Sequence, residues 1–302
     1  MNRKFVEVME NSSLIFMIAI LLALTIPDFA LAIQNLIIPA LVVSMTLSMR
    51  QVRVSKTGVK NIKKDIVLVF LMNYLILSGI IILLAHFLVH EAEYFQGFII
   101  MAAVPPAIAV VPFTRLLKGD LNISVMGEIA TYLASIFLTP LIILFFMGKG
   151  MDAIILFKTM IILIFIPFIV SRPLGKVNSW LFKWEKIIIN LCFALISYTI
   201  IALNRSIILD LSHTLTVVGI IFLRTFVIGS IVYIILSRML SNPKKVISYT
   251  LFASYKNGGL TAALALMFLN SKAALPAALS AIFELLFFVY FKWVVDEMQN
   301  MR

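Results

Sequence analysis

Charged residues and cysteine are scarce in this chain of 302 residues. Asp, Glu, Lys and Arg make up 13% of it and apolar residues 62%, whereas a soluble domain is about 25% charged and about 45–50% apolar. This little charge does not cover a soluble globular surface. The single cysteine, Cys192, excludes an internal disulfide. These shortages exclude a soluble enzyme, a disordered scaffold and, despite the net charge of +11, a nucleic-acid-binding protein.

The apolar residues instead form repeated runs long enough to cross a lipid bilayer. We predict an all-α polytopic membrane protein with ten transmembrane helices, surrounded by lipid and without a soluble domain. The predicted spans lie near 13–33, 35–49, 66–88, 95–117, 121–147, 153–171, 187–204, 213–237, 246–270 and 273–295.

The loops between these spans alternate in basic charge. Nineteen Lys and Arg residues fall in the tails, loops and span ends of one side, and three (Lys149, Arg205 and Lys272) on the other side. Basic loops stay in the cytoplasm. We therefore predict a protein of the plasma membrane with both termini cytoplasmic and an even number of spans.

Two of the spans contain helix breakers near their middle. Pro105 and Pro106 interrupt the fourth, and Gly258 and Gly259, after Asn257, interrupt the ninth; Pro105 and Asn257 are 152 positions apart, about half the chain. Discontinuous helices at matched positions predict two inverted five-helix repeats, 1–150 and 151–302. This arrangement is typical of secondary transporters, whose sites lie at the midplane where the breaks meet.

The residues around the two breaks resemble the bile acid:sodium symporter family, within the bile/arsenite/riboflavin transporter superfamily. The similar stretches are VPPAIAVVPFTRLLKGDLNISVMGEIATYLASIFLTP (104–140) and YKNGGLTAALALMFLNSKAALPAALSAIFELLF (255–287). The resemblance implies a panel domain, a core domain with crossing discontinuous helices 4 and 9, and transport of an organic anion by alternating access. The arsenite branch relies on a cysteine in the fourth helix, and 95–117 contains none.

The sequence departs from this family at the sodium ligands. The corresponding positions are Asn73, Val110, Val111, Ser124, Glu128, Phe252 and Lys256. A hard cation needs several oxygen ligands and tolerates no ammonium beside it. We therefore expect the sodium sites to be largely lost, and predict no metal and no cofactor, with protons as the candidate coupling ion.

Four ionisable side chains fall inside predicted spans, where each is a functional candidate: Glu128, Arg224, Lys256 and Glu284. We hypothesise that the Lys256 ammonium stands where the family places sodium and is countered by Glu128. Ser124 and Thr131 share a helix face with Glu128, and with Asn73 they complete the predicted ion-coupling residues. Transport is proton-coupled if Lys256 releases its proton and uncoupled if it does not; a static ion pair is the other alternative. Arg224 and Glu284 are expected to pair.

The helix breaks also predict the substrate. Half-helices that begin at Gly258 and after Pro106 would present free N–H groups, which favour an anion. The predicted substrate-binding residues are Pro105, Pro106, Arg224, Lys256, Asn257, Gly258, Gly259 and Glu284, and the predicted substrate is a small organic carboxylate. No HExxH motif or Ser/His arrangement suggests an enzyme. Two alternatives stay open: a conventional sodium-coupled organic anion symporter, and a membrane ligand sensor that does not transport. Oligomeric state is not predicted.

Overall fold

The computed structural model describes residues 9–50, 62–148, 152–174, 184–209 and 211–300. Within these ranges all regular structure is helical. Several of the basic residues that predict the orientation, including those at 3–4, 53–60 and 176–183, lie outside the described residues.

The described helices follow one another along the chain. Their bounds are α1 (Ser12–Thr25), α2 (Ala30–Arg50), α3 (Ile62–Leu88), α4a (Ala92–Ala103), α4b (Val110–Leu116), α5 (Leu121–Met147), α6 (Ala153–Leu174), α7 (Glu185–Leu203), α8 (Leu211–Phe222, continuing through Leu223–Val227 and Ile228–Met239), α9a (Pro243–Phe252), α9b (Gly258–Phe268) and α10 (Ser271–Asn300). A single helical turn, Arg205–Leu209, lies between α7 and α8.

Seven of the described helices are long and apolar enough to cross a membrane, namely α2, α3, α5, α6, α7, α8 and α10; the apolar helices α1 and α9b are shorter. The fourth and ninth predicted spans are each divided into two short helices, so length alone does not identify them as spans. The count of ten spans and the inverted repeats stay predictions.

The first predicted span, 13–33, extends beyond the end of the helix α1. The helix α1 ends at Thr25, and Ile26 adopts φ −129° and ψ 72°. Pro27 follows, and a proline disfavours helical geometry in the residue before it. Residues 30–33 therefore begin α2.

The helices pack in two groups. One group contains α1, α2, α6 and α7; the other contains α3, α4a, α4b, α5, α8, α9a, α9b and α10. The groups meet where α6 packs on α5, where α7 packs on α10, and where α2 and α7 pack on α9b. Both groups contain helices from residues 1–150 and from 151–302.

The α4a helix is held against the start of α10 by a close backbone approach at Gly97. A Cβ atom built on Gly97 would lie 2.2 Å from the Ala273 carbonyl oxygen, whereas one on Gly79, in α3, would have no neighbour within 4 Å. Only glycine therefore permits α4a to pack at this distance.

We predict that Gly97→Ala destabilises the protein by about 1–3 kcal/mol, because the added methyl group must displace backbone. The measurement is thermal unfolding of the purified protein in detergent. Gly79→Ala is the matched control and should leave the unfolding temperature unchanged or slightly higher, since alanine favours a helix. Equal effects of the two substitutions would contradict the close approach.

Candidate functional site

The first helix break leaves a run of backbone carbonyls without helical partners. The helix α4a ends at Ala103, α4b begins at Val110, and Pro105 and Pro106 lie between them. The last carbonyls of a helix have no intrahelical donor, and the hydrocarbon core of a membrane offers no water to replace it. These oxygens must therefore find donors within the protein.

Five consecutive carbonyls at this break, from residue 102 to residue 106, are all paired. The donors come from α3, α5 and the second break, and the bonds are Ser78 Oγ to Ala102 O (2.7 Å), Lys256 Nζ to Ala102 O (3.0 Å) and Val104 O (2.8 Å), Thr139 Oγ1 to Ala103 O (2.8 Å), Asn257 N to Pro105 O (3.0 Å) and Tyr132 OH to Pro106 O (3.0 Å). The break is thus built into a polar junction between four helices.

The second break is paired by different groups. The Asn73 side chain, on α3, donates to the carbonyls of Phe252 (2.9 Å) and Tyr255 (3.3 Å). Arg224, on α8, donates to the carbonyl of Ser254 at 3.2 Å. The Asn73 amide and the Arg224 guanidinium therefore donate hydrogen bonds to the carbonyls at the end of α9a and just after it.

Lys256 lies at the point where the two breaks meet. Its Nζ donates to Asn73 Oδ1 (2.9 Å) and to the Ala102 and Val104 carbonyls, and lies 4.7 Å from the centre of the Tyr74 ring. The residue is 1% exposed. An ammonium group has three donors, and each has an oxygen acceptor here.

The expected ion pair between Lys256 and Glu128 is absent from the described residues. The lysine side chain reaches α3 and α4a, whereas the Glu128 carboxylate interacts with the backbone amide of Val111, at the start of α4b. The carboxylate that contacts Lys256 is Glu284, which accepts a hydrogen bond from its backbone N–H at 3.1 Å. The hypothesis was wrong about the partner because the family resemblance places both residues near the crossing but does not fix the directions of their side chains.

The expected pair of Arg224 and Glu284 is formed. Arg224 Nη2 lies 2.8 Å from Glu284 Oε1 and also donates to Ser280. Arg224 is fully buried, and its contacts are with protein groups. Arg224, Glu284 and Lys256 form one cluster, in which the Glu284 carboxylate contacts the Arg224 guanidinium and the Lys256 backbone N–H.

The predicted substrate residues divide into buried and accessible ones. Asn257 is buried, and its side chain caps α9b by accepting from Leu260 N (2.9 Å) and donates to Tyr132 OH (2.8 Å). Gly258 and Gly259 are half-buried. A Cβ on Gly259 would face Leu41 of α2 at 3.2 Å, so the start of α9b faces the boundary between the two helix groups.

Ser124 and Thr131 are buried but bond to neighbouring protein groups. The Ser124 hydroxyl lies 2.7 Å from that of Thr114, and the Thr131 hydroxyl donates to the carbonyls of Gly127 and Glu128 in its own helix. Tyr132, which connects the two breaks, is not among the residues predicted from the sequence. Its position four residues after Glu128, on the same helix face, was the available signal.

A small recess opens at the boundary between the two helix groups, with room for about one water molecule (about 10 Å³). Its lining comes from α2, α5 and α6: Met49, Glu128, Ile129, Tyr132, Phe168 and Arg172. Tyr132 therefore joins the recess to the crossing of the breaks.

Comparison with known proteins assigns the chain to a family. The model of the SBF-like CPA transporter family matches residues 12–299, almost the whole chain. The chain belongs to the SBF-like CPA transporter family. This confirms the resemblance to bile acid:sodium symporters that the breaks predicted. No curated protein matches the chain.

Membership of this transporter family, together with the apolar helices, makes the chain an integral membrane transporter. The family match covers both breaks and every residue of the cluster around Lys256. The polar crossing is therefore the candidate functional site of this SBF-like CPA transporter.

We predict that breaking the buried Arg224–Glu284 pair is costly. Arg224→Met or Glu284→Gln alone should destabilise the transporter by about 3–5 kcal/mol, because each leaves a buried charge without its partner. The double variant should lose less than the sum of the two. Thermal unfolding of the four proteins measures the coupling.

The control is the exposed pair of Lys272 and Glu93, whose Nζ and Oε2 atoms lie 3.2 Å apart. Removing either partner there should cost about 0–1 kcal/mol. Additive losses at Arg224 and Glu284 would show that their pairing does not contribute to stability.

Proposed function

We propose that the protein is a secondary transporter that moves a small organic anion, a carboxylate, across the plasma membrane by alternating access. In this proposal the Lys256 ammonium permanently occupies the position that a sodium ion takes in bile acid:sodium symporters. Transport then needs no sodium. Both termini lie in the cytoplasm.

The observation that carries the proposal is the oxygen shell of Lys256. Three oxygens, from Asn73, Ala102 and Val104, lie 2.8–3.0 Å from one nitrogen. Backbone carbonyls and side-chain amide oxygens are the ligands that hard cations prefer. A tethered ammonium in this shell leaves no room for a metal ion beside it.

An anionic substrate is supported by the charges at the crossing. Lys256 and Arg224 outnumber Glu284 within the cluster. The first amides of α9b, at Gly258 and Gly259, have no partner within the helix and lie where α2 and α7 approach. A carboxylate bound at this boundary would be attracted by the buried basic groups and by the helix dipole.

Alternating access is supported by the two helix groups. The crossing belongs entirely to the larger group, and the recess and the start of α9b lie at its boundary with the smaller one. Movement of one group against the other would expose this boundary to each side of the membrane in turn.

The first experiment measures thermal stability of the purified transporter with a panel of carboxylates, in sodium buffer and in choline buffer. A ligand stabilises the folded state by mass action, so one or more carboxylates should raise the unfolding temperature equally in both buffers. Those carboxylates are then tested by counterflow in proteoliposomes. Stabilisation that requires sodium would support the conventional symporter, and binding without counterflow would support a ligand sensor.

We predict that Lys256→Ser makes the transporter responsive to sodium. The substitution leaves the Ala102 and Val104 carbonyls and Asn73 Oδ1 without their donor, at a cost of about 1–3 kcal/mol for each buried group. Sodium ions can then enter the shell and restore part of this stability, which choline cannot do. The measurement is unfolding temperature against sodium concentration.

The controls are the wild-type protein and Lys272→Ser, which removes an exposed lysine. Sodium should not change the unfolding temperature of either control. A sodium response in the wild type would contradict the proposal. So would a Lys256→Ser variant that responds equally to sodium and choline.

A further inference from the structure

We propose that Glu128 is the proton-exchanging group of this transporter, and that it binds and releases its proton through the recess between α5, α2 and α6. This inference rests on the proposed function, because it names the coupling ion of that transport cycle. It transfers the titrating role from Lys256, where the sequence suggested it, to a different helix.

Lys256 is a poor candidate for exchange because its ammonium donors are all used. Loss of a proton would leave one of these buried oxygens without its donor, at the junction of both breaks. Glu284 is held in its ionised form by the Arg224 guanidinium, and its Oε1 atom accepts from both Arg224 and the Lys256 backbone. Both groups contribute to the structure of the crossing in one charge state.

Glu128 differs from Glu284 in having no ion-pair partner among the described residues. Its Oε2 atom is buried and has no hydrogen-bond partner in the described part of the chain. The residue is 4% exposed, yet it lines the recess. A neutral carboxylic acid tolerates such a setting better than a carboxylate, because burial of an unpaired charge costs far more than burial of a neutral polar group. The ionised form requires a donor to reach this oxygen.

The recess lining contains one basic side chain that can supply such a donor, Arg172. Arg172, on α6, lines the same recess, with its Cζ atom 4.3 Å from the centre of the Phe168 ring. Tyr132 lies on the same helix and α4b contributes the Val111 amide. The remaining contribution to the recess lining from another element, Met49 of α2, is uncharged.

The other titratable groups near this part of α5 lie at the crossing. The hydroxyl of Tyr74, on α3, and Lys256 are both buried there, and Lys256 Nζ lies over the Tyr74 ring. Tyr132 separates them from the recess, because its hydroxyl bonds to Pro106 O and Asn257. Water that enters the recess therefore reaches Glu128 before it reaches the crossing.

The exchange step is a simple proton transfer. The Glu128 carboxylic acid gives its proton to water in the recess and becomes a carboxylate, and the reverse step takes a proton from that water. Hydration of the recess, and the approach of Arg172, stabilise the carboxylate. When the two helix groups close over the recess, the neutral acid is the form that can be buried. The proton therefore moves with the conformational change.

The test is infrared difference spectroscopy of the purified transporter in lipid, between buffers at about pH 6 and about pH 9, where carboxyl groups with ordinary pKa values stay ionised. A protonated carboxylic acid has a C=O stretching band that a carboxylate lacks. We expect this band to change between the two buffers in the wild type and in Glu128→Asp, and to be lost in Glu128→Gln. Glu93→Gln, which removes an exposed carboxylate, is the control and should keep the band. A titrating acid band in Glu128→Gln would overturn the proposal, as would its loss in Glu93→Gln.

A second measurement follows the recess itself. Cys192→Ser removes the single cysteine, and Met49→Cys then places a thiol in the lining. Its rate of labelling by a water-soluble thiol reagent, divided by the rate at exposed Met239→Cys, corrects for the reactivity of thiols at each pH. We expect a several-fold higher ratio in alkaline buffer, and no difference once Glu128→Gln is added. A ratio that does not change with pH, or one that still changes with Glu128→Gln, would overturn the proposal.

These measurements need no substrate. If no carboxylate is transported but the Glu128 band titrates, the proposed function fails and the proton site stands. If carboxylate counterflow succeeds and the band survives in Glu128→Gln, the proton site alone fails.

Discussion

The structure depends on one requirement, that the carbonyl oxygens released by Pro105 and Pro106 be paired in a region without water. Each unpaired backbone group in the hydrocarbon core costs several kcal/mol, and five consecutive oxygens are released here. The pairing groups come from α3, α5 and the second break. The first break can exist only while the second break lies against it, which explains why two weak helices are retained at the centre of the molecule.

The carbonyl oxygens at the second break also need hydrogen-bond donors from neighbouring helices. Asn73 donates to the end of α9a and accepts from Lys256, so one side chain on α3 serves both breaks. Arg224 serves the same end of α9a and is itself held by Glu284. Moving α9 relative to α4 would break many of these bonds together. The crossing is therefore expected to move as one rigid body, and relative motion belongs at the boundary with α2, α6 and α7, where packing is apolar and fewer polar bonds must be exchanged.

Much of this organisation could be predicted from the sequence, because helix breakers inside apolar runs are visible without a structure. Both breaks and the Arg224–Glu284 pair followed from position and charge. The partner of Lys256 did not, since the side-chain direction of a residue in a broken segment depends on tertiary packing rather than on periodicity. The helical spacing of polar residues on α5 correctly predicted that Glu128 faces the protein interior. The same spacing does not show which neighbouring helix contacts it. The predicted end of α1 was wrong because the prediction followed the apolar run past Pro27, whereas the helix ends before this proline.

A tethered cation has a consequence for the energy of transport. A sodium ion that binds and leaves with the substrate carries the energy of its gradient, whereas the Lys256 ammonium returns with the protein in every cycle. It can attract an anion and satisfy the break, but it cannot drive accumulation. A carrier of this design either equilibrates its substrate or obtains its driving force from another exchanging group. Among the buried charged groups of the crossing and the recess, Glu128 combines an unpartnered oxygen with a position at the moving boundary. The separation of a fixed positive charge at the crossing from an exchangeable negative one at the boundary would let one chain keep the architecture of a sodium symporter while using a different ion.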